Sequence, residues 1–480
     1  MKRYLREIVW LTVAAMLIAA AWTTADAFGQ QTSKTTKRVA ENVDAQTHLG
    51  MIAAEANDLK AAERHFAAAA SLAPADPSTR NNYGAILLRL GRTAEARTQF
   101  EASLKLNPDQ PSALTNLAQI YFDSGRPDDL RMARKLLQRA AARNTADAQI
   151  SRALVITRLK LGQTLIEEGR PDEAVAELST ALASDPTNTD VVLSLSRAQI
   201  LKKDLRGAGR TLEGAVARGL DDARVYAALA EVYETDGHVE NAIPAMRLAV
   251  QRDPQNETYH FRYGLLLTDS HAPAAGILRL QEALQKFPGS ARLWLALGIA
   301  QFTLGQNVEA ESSFKRSLAE DPKAVPALAY LGVTYGERGA YEKAIEFYEQ
   351  AIALNPKVAA LHYLVANTLL KMSHPDTARA EKYLRRAVEL DATLGAAYLA
   401  WGRLYVRSNR YDEAAPLLQR AVSLQPELPE AHYQLSRVLV KLKRPDEANR
   451  ELEIFKRLSE KQKAKNESRE IVRRLANVRF

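Results

Sequence analysis

An all-α solenoid of about twelve helix–turn–helix repeats, closed by a C-terminal capping helix, is the fold that this 480-residue sequence predicts. Three observations predict it. Pro254, Pro288, Pro322 and Pro356 stand at uniform intervals of 34 residues. Glycine and proline are sparse, at 22 and 19 residues, while alanine and leucine are abundant. No stretch alternates apolar and polar residues as a half-buried strand does. Proline lacks the backbone N–H and drives the preceding residue away from helical angles, so each Asp-Pro, Phe-Pro or Asn-Pro pair ends one helix before the next begins. A chain of this length would ordinarily divide into about three domains. A regular array can instead use it as one elongated body in which each repeat rests on its neighbours.

At the N-terminus, MKRYLRE supplies a basic start, Ile8 to Trp22 supplies fifteen mostly apolar residues, and Ala25-Asp26-Ala27 supplies a small-x-small cleavage site. That layout predicts a signal peptide over 1–27 and an exported protein, with the periplasm as its destination. A bilayer-spanning helix wants roughly 20 apolar residues, so an inner-membrane anchor over residues 8–22 is the alternative. The polar stretch that follows makes 28–42 a flexible leader, and the repeats are expected to begin near Val43.

Helix stops are then expected at Pro74, Pro108, near Thr145, and at Pro186, Leu220, Pro254, Pro288, Pro322, Pro356, Ala392, Pro426 and Glu460. They give three repeats over 43–146 and nine over 147–460. Three intervals differ from 34: 37 residues from Pro108 to Thr145, 41 from Thr145 to Pro186, and 36 from Pro356 to Ala392. The two small excesses suit longer turns around SGRPDDLRM and MSHPDTARA. Seven extra residues make about two helical turns, and no loop signal interrupts Ala146 to Gly169. One long first helix is therefore expected near Asp147 to Glu168, at a junction between a three-repeat arm and a nine-repeat arm. The fifth unit is weak, with Ser196 and Gln199 where other units place glycine and tyrosine, and Leu220 in place of proline. Its neighbours are expected to carry it. At the far end SEKQ, Ser459 to Gln462, has the form of a capping box. Ile471, Val472, Leu475 and Val478 give the basic segment 461–480 an apolar helical stripe with which to cover the last repeat.

The same residue types return at the same offsets within the frame. Leu328, Leu331, Gly332 and Tyr335 are followed by Ala344, Tyr348, Ala351 and Pro356 in the clearest unit, Val325 to Val358. Trp294, Leu297, Gly298, Ala310, Phe314 and Pro322 fill these offsets one unit earlier; Tyr398, Trp401, Gly402, Tyr405, Ala414, Leu418, Ala421 and Pro426 fill them later. These residues resemble the tetratricopeptide repeat, a helix–turn–helix family with large residues on the first helix and small ones where the helices cross. The resemblance extends over about nine-tenths of the chain. It implies a right-handed superhelix whose first helices line a concave surface. It also implies the role of a protein–protein interaction scaffold, and core packing for the aromatics and alanines at the repeat offsets.

The remaining composition narrows the function. Cysteine is absent, which removes a disulfide framework and a lipid-modified N-terminal cysteine. The eight histidines are scattered, and no H-E-x-x-H, G-x-x-x-x-G-K-[ST] or G-x-S-x-G motif occurs. Gly207-Ala208-Gly209 lacks the third glycine and the preceding strand of a nucleotide fingerprint and suits the start of a repeat helix. No catalytic residue, metal ligand or cofactor is expected. The net charge is +8, but Lys461 to Phe480 alone holds seven basic and two acidic side chains, so the solenoid is nearly neutral and nucleic acid is not an expected partner. The basic tail could touch anionic lipid headgroups at a membrane surface.

The offsets that face inward in the resembled family carry Asn367 and Lys371, then Arg403 and Arg407, then Arg437 and Lys441 in three late repeats. Each pair is spaced i, i+4 and so shares a helix face. Tyr363 and Tyr433 stand one turn earlier. Arginine forks suit carboxylates and phosphates, so this strip is the candidate ligand site. Its expected partner is a protein with an acidic or carboxylate-bearing segment, or an anionic polymer. The family's known carboxylate clamp, with its lysine and asparagine pattern, is not found at these positions.

Overall fold

The computed structural model describes residues 34–476, with side chains from 41 to 461. The signal peptide expected over 1–27, residues 28–33 of the leader, and the side chains of the basic tail from 462 onward lie outside the described residues. Every regular element among the described residues is an α-helix, and the helices pair into twelve hairpins. The chain divides into two compact units, one ending at Asp253 and the other beginning at Pro254.

In the first unit the hairpins are α1 (Lys34–Glu55) with α2 (Leu59–Leu72), α3 (Pro77–Arg89) with α4 (Thr93–Leu106), and α5 (Pro111–Ser124) with α6 (Pro127–Arg143). Then come α7 (Ala148–Glu167) with α8 (Pro171–Ser184), α9 (Thr189–Leu201) with α10 (Leu205–Ala217), and α11 (Ala223–Thr235) with α12 (Val239–Arg252). In the second unit they are α13 (Glu257–Asp269) with α14 (Pro273–Lys286), α15 (Ala291–Thr303) with α16 (Asn307–Glu320), and α17 (Val325–Glu337) with α18 (Tyr341–Leu354). The last three are α19 (Ala359–Leu369) with α20 (Thr377–Leu390), α21 (Gly395–Arg407) with α22 (Tyr411–Leu424), and α23 (Pro429–Lys441) with α24 (Pro445–Ala476).

Two local devices set this repeat. The first is the turn inside a hairpin, where one residue takes left-handed angles and the next amide donates back across the helix end. In the ninth hairpin Gly339 has φ 75°, and the Ala340 N–H reaches the Tyr335 carbonyl at 3.0 Å. This is the six-to-one closure that satisfies an orphan carbonyl. The second lies between hairpins and was not visible in the sequence frame. The side chain six residues beyond a stop proline donates an N–H to that proline's carbonyl: His260 to Pro254 at 3.0 Å, Trp294 to Pro288 at 2.9 Å, His362 to Pro356 at 3.0 Å and His432 to Pro426 at 2.9 Å. A polar N–H at this offset thus ties the loop to the helix it opens.

Packing follows the offsets. A Cβ on Gly332 would collide with the ring of Tyr348, and one on Gly402 would meet Leu418 at 2.6 Å, so these glycines let the paired helices touch. Ala344 and Ala351 are fully buried beside Tyr348. The weak fifth unit is complete: Ser196 is buried, with its hydroxyl donating to the Leu193 carbonyl at 2.9 Å, and Gln199 accepts from Thr211 at 2.9 Å.

Several expectations need correction. Residues 34–42, expected to be part of a flexible leader, have the backbone of the start of α1; no proline or glycine in KTTKRVAEN stops the helix from propagating upstream. The stop expected at Glu460 does not exist, and the capping box at Ser459 to Gln462 starts nothing, because α24 runs unbroken to Ala476 through a stretch of good helix formers. The capping segment is thus a continuation of the last repeat helix. The three extra residues before Thr145 lie in α6, which has 17 residues, while its turn is only Gly125-Arg126. The longer turn at MSHPDTARA is present, from Leu370 to Asp376.

Helix α7 has 20 residues against 13 in α9, with Asp147 as N-cap and Glu168 as C-cap. Residue 146 is not where compact units divide, however. Leu136, Leu137 and Ala140 share one core with Ile150, Val155 and Leu159 across that point. Glu177 of α8 accepts from Arg158 of α7 at 2.7 Å and also pairs with Arg134 of α6, so charges reinforce the continuity.

Candidate functional site

Each site residue is placed by its rank on a first helix. Position nine of α19, α21 and α23 holds Asn367, Arg403 and Arg437; position thirteen, at or just past the helix end, holds Lys371, Arg407 and Lys441. Positions separated by four residues lie on one face.

Four of the predicted residues come together. Asn367 and Lys371 from the α19 side, and Arg403 and Arg407 from α21, line a recess of about 110 Å³. Leu370, Ala400 and Leu404 complete its wall. Sequence reasoning misses these three; an apolar residue directly beside a cation could have found Leu370 next to Lys371 and Leu404 next to Arg403, whereas nothing in the sequence singles out Ala400. The recess thus presents three cations and one amide around an apolar wall.

The charges are lightly committed. Arg407 donates a long 3.4 Å bond to the Leu370 carbonyl at the end of α19, and Arg403 lies 4.0 Å from Glu430 of α23. Glu430 is more tightly held by Gln434, at 2.6 Å. Lys371 and Lys441 hold no ion pair among the described residues. Tyr363 is half-buried, and burial pushes its hydroxyl above the usual range, partly opposed by the positive charge of Arg403. A phenol that stays neutral beside an arginine can still donate to an incoming oxygen.

The third pair stands apart from the recess. Arg437 lies over the ring of Tyr433, 5.7 Å from its centroid, and that ring packs against Phe455 of α24 at 5.1 Å. Tyr433 is therefore a packing surface for the last helix as well as a platform for Arg437. Lys441 is exposed at the helix end. No group of three metal-ligating side chains occurs among the described residues, and none of the described helices is long and apolar enough to cross a membrane.

What this arrangement can do chemically is to hold an anion. Arginine and lysine around a half-enclosed site give charge-assisted bonds of about 1.5–3 kcal/mol when a carboxylate fills it, and the apolar wall limits competition from water.

A tetratricopeptide repeat family model matches residues 87–155, 165–232, 267–331 and 405–454, together more than half of the chain. Two single-repeat models of the same description match 223–256 and 325–358, the latter with the bounds of the clearest sequence unit. Human protein O-mannosyl-transferase TMTC1 is 32% identical over 118 residues, which are 25% of this chain and 13% of that protein. Anaphase-promoting complex subunit 3 of Schizosaccharomyces pombe is 25% identical over 170 residues, 34% of this chain and 24% of that one. The matched stretches thus span less than a quarter of these relatives' own length. Among solved structures, yeast Tom70 aligns over 91% of this chain and 97% of its own, at 18% identity and a TM-score of 0.45. With twelve helical hairpins and a family model matched along most of the array, the chain belongs to the tetratricopeptide repeat family.

Proposed function

We propose that this protein is a non-catalytic scaffold of the cell envelope that holds a partner protein by an acidic or carboxylate-bearing segment laid across α19, α21 and α23. The observation that carries the reading is the recess in which Asn367, Lys371, Arg403 and Arg407 converge. Family membership supports protein–protein interaction as the mode of action. The signal-peptide layout of residues 1–27 supports export to the periplasm, and the basic segment 461–480 suits a peripheral contact with anionic headgroups. The apolar run over 8–22 supports one second reading, an inner-membrane-anchored assembly factor or chaperone-like adaptor for secretion or polysaccharide export.

The test has two parts. Mass spectrometry of the protein recovered from the envelope is expected to show a mature chain beginning at Phe28; an intact Met1 in the membrane fraction supports the anchored reading instead. Partners captured on the mature array are then titrated against Arg403→Glu, Arg407→Glu and Arg437→Glu, singly and combined. Affinity is expected to fall at least about tenfold in the combined variant, with a shallower salt dependence. Binding that survives unchanged, with its salt dependence intact, removes this face from the molecule's sites.

A further inference from the structure

The strip that carries the recess continues along the whole second unit, and its chemistry reverses midway. Position nine of the six first helices from α13 to α23 reads Leu265, Ile299, Val333, Asn367, Arg403, Arg437. Position thirteen reads Asp269, Thr303, Glu337, Lys371, Arg407, Lys441. The recess shows which way these positions face, since both positions of α19 and α21 line it. The earlier helices share the same rank and a matching exposure: Leu265, Ile299 and Val333 are half-buried like Asn367, while Asp269, Thr303 and Glu337 are exposed like Lys371. One half of the strip is therefore apolar edged with acid, and the other is polar and basic.

The opposed charges are uncommitted on both sides. Asp269 and Glu337 hold no ion pair among the described residues, and neither do Lys371 and Lys441. Arg292, the nearby cation on α15, sits at the opposite end of its helix and is engaged over the ring of Phe261 at 4.6 Å. The sign change falls between Glu337 and Lys371, one repeat apart.

We infer that the strip selects a partner segment of matching polarity, with basic and apolar residues interleaved in one half and carboxylates in the other, and so fixes the direction in which that segment lies. This rests on the proposed function and deepens it, because the acidic end is the part that enters the recess. Neighbouring packed helices lie about 8–10 Å apart, so the four steps between the five first helices from Asp269 to Arg407 span on the order of 40 Å. An extended segment of about 12 residues covers that distance at about 3.3 Å per residue.

Fluorescein-labelled synthetic peptides of about that length provide the probes. One alternates lysine and leucine over one half and carries serine and aspartate over the other. A second has the same composition with the charges intermixed. A third keeps the aspartate end but replaces lysine by serine. Fluorescence anisotropy on the mature chain is expected to rank the segregated peptide about three- to tenfold tighter than the intermixed one, the scale of two exposed charge pairs. Asp269→Asn with Glu337→Gln should bring the segregated peptide down to the affinity of the serine-substituted one while leaving the latter unchanged. Arg403→Glu with Arg407→Glu should weaken both. Equal affinity for segregated and intermixed peptides, or indifference of the segregated peptide to the Asp269 and Glu337 changes, overturns the polarity inference while leaving the recess standing. Indifference of every peptide to the Arg403 and Arg407 changes overturns the recess, and the inference with it. Circular dichroism of each variant confirms that the exposed substitutions leave the helices formed.

Discussion

A methyl group added at Gly332 would run into the ring of Tyr348, which is almost fully buried between its own hairpin and the next. The ring cannot retreat, because burial by Ala344 and Ala351 fixes its place. Gly332→Ala is therefore expected to destabilise the second unit by about 1–3 kcal/mol, the range for overpacking, despite the better helix propensity of alanine. Urea unfolding followed by circular dichroism measures it, and an unchanged midpoint would show that the hairpin yields. The reverse case stands at Lys203, which holds φ 65° in the turn where the ninth hairpin has Gly339. A side chain in the left-handed region costs roughly 1–2 kcal/mol, so Lys203→Gly is expected to raise the midpoint of the first unit. The Gly332 offset was legible in the sequence because glycine stands at the same offset at Gly298 and Gly402. The need for left-handed angles at Lys203 was not, since nothing about lysine announces it.

Between hairpins, carboxylates on second helices reach tyrosines and arginines of the next repeat. Glu311 of α16 accepts from Tyr335 of α17 at 2.6 Å and pairs with Arg338 at 2.6 Å and with Lys315 at 2.7 Å. Glu381 of α20 makes the same link to Tyr405 at 2.7 Å and to Arg410 at 3.3 Å. The Lys315 ammonium, followed by the Tyr335 hydroxyl, holds the Glu311 carboxyl below its ordinary value of 4.5. A lowered carboxyl favours the fold above its unfolded value, and the gain is lost as pH falls through the lowered one. Glu311→Gln is thus expected to cost about 1 kcal/mol at pH 7, with the difference from the unsubstituted protein closing below about pH 4. Urea titrations at pH 7 and pH 3 decide this, and a difference as large at pH 3 as at pH 7 would assign the loss to packing instead. The helices themselves were legible because prolines punctuate them. These cross-links were not, since a Glu–Tyr pair 24 residues apart has no periodic signature within either helix. The recess was half legible: its cations were read from the family offsets, whereas its wall of Leu370, Ala400 and Leu404 looks like any core residue until the two helices are laid side by side.

A linear array has no single core, so where it divides depends on how continuously its apolar contacts run. The sequence marks Asp147 by a long helix, yet buried Leu136 and Leu137 on one side and Ile150 and Val155 on the other belong to one core, and Glu177 joins Arg134 to Arg158 across the same stretch. The long helix extends that core instead of interrupting it. The division falls between Asp253 and Pro254, at a boundary that by sequence is as regular as any other stop. A fragment of residues 34–253 and one of 254–476 are therefore each expected to be helical and to unfold cooperatively in urea. A fragment ending at Ala146 would leave Leu136 and Leu137 without the partners that α7 supplies, and should show lower helicity, a broad transition and binding of a hydrophobic dye. Length does not explain such a contrast, because a shorter array can fold when its last helix is covered. If the fragment ending at Ala146 unfolded as sharply as the one ending at Asp253, the three-repeat arm would be an independent unit and the core shared across α6, α7 and α8 would be dispensable.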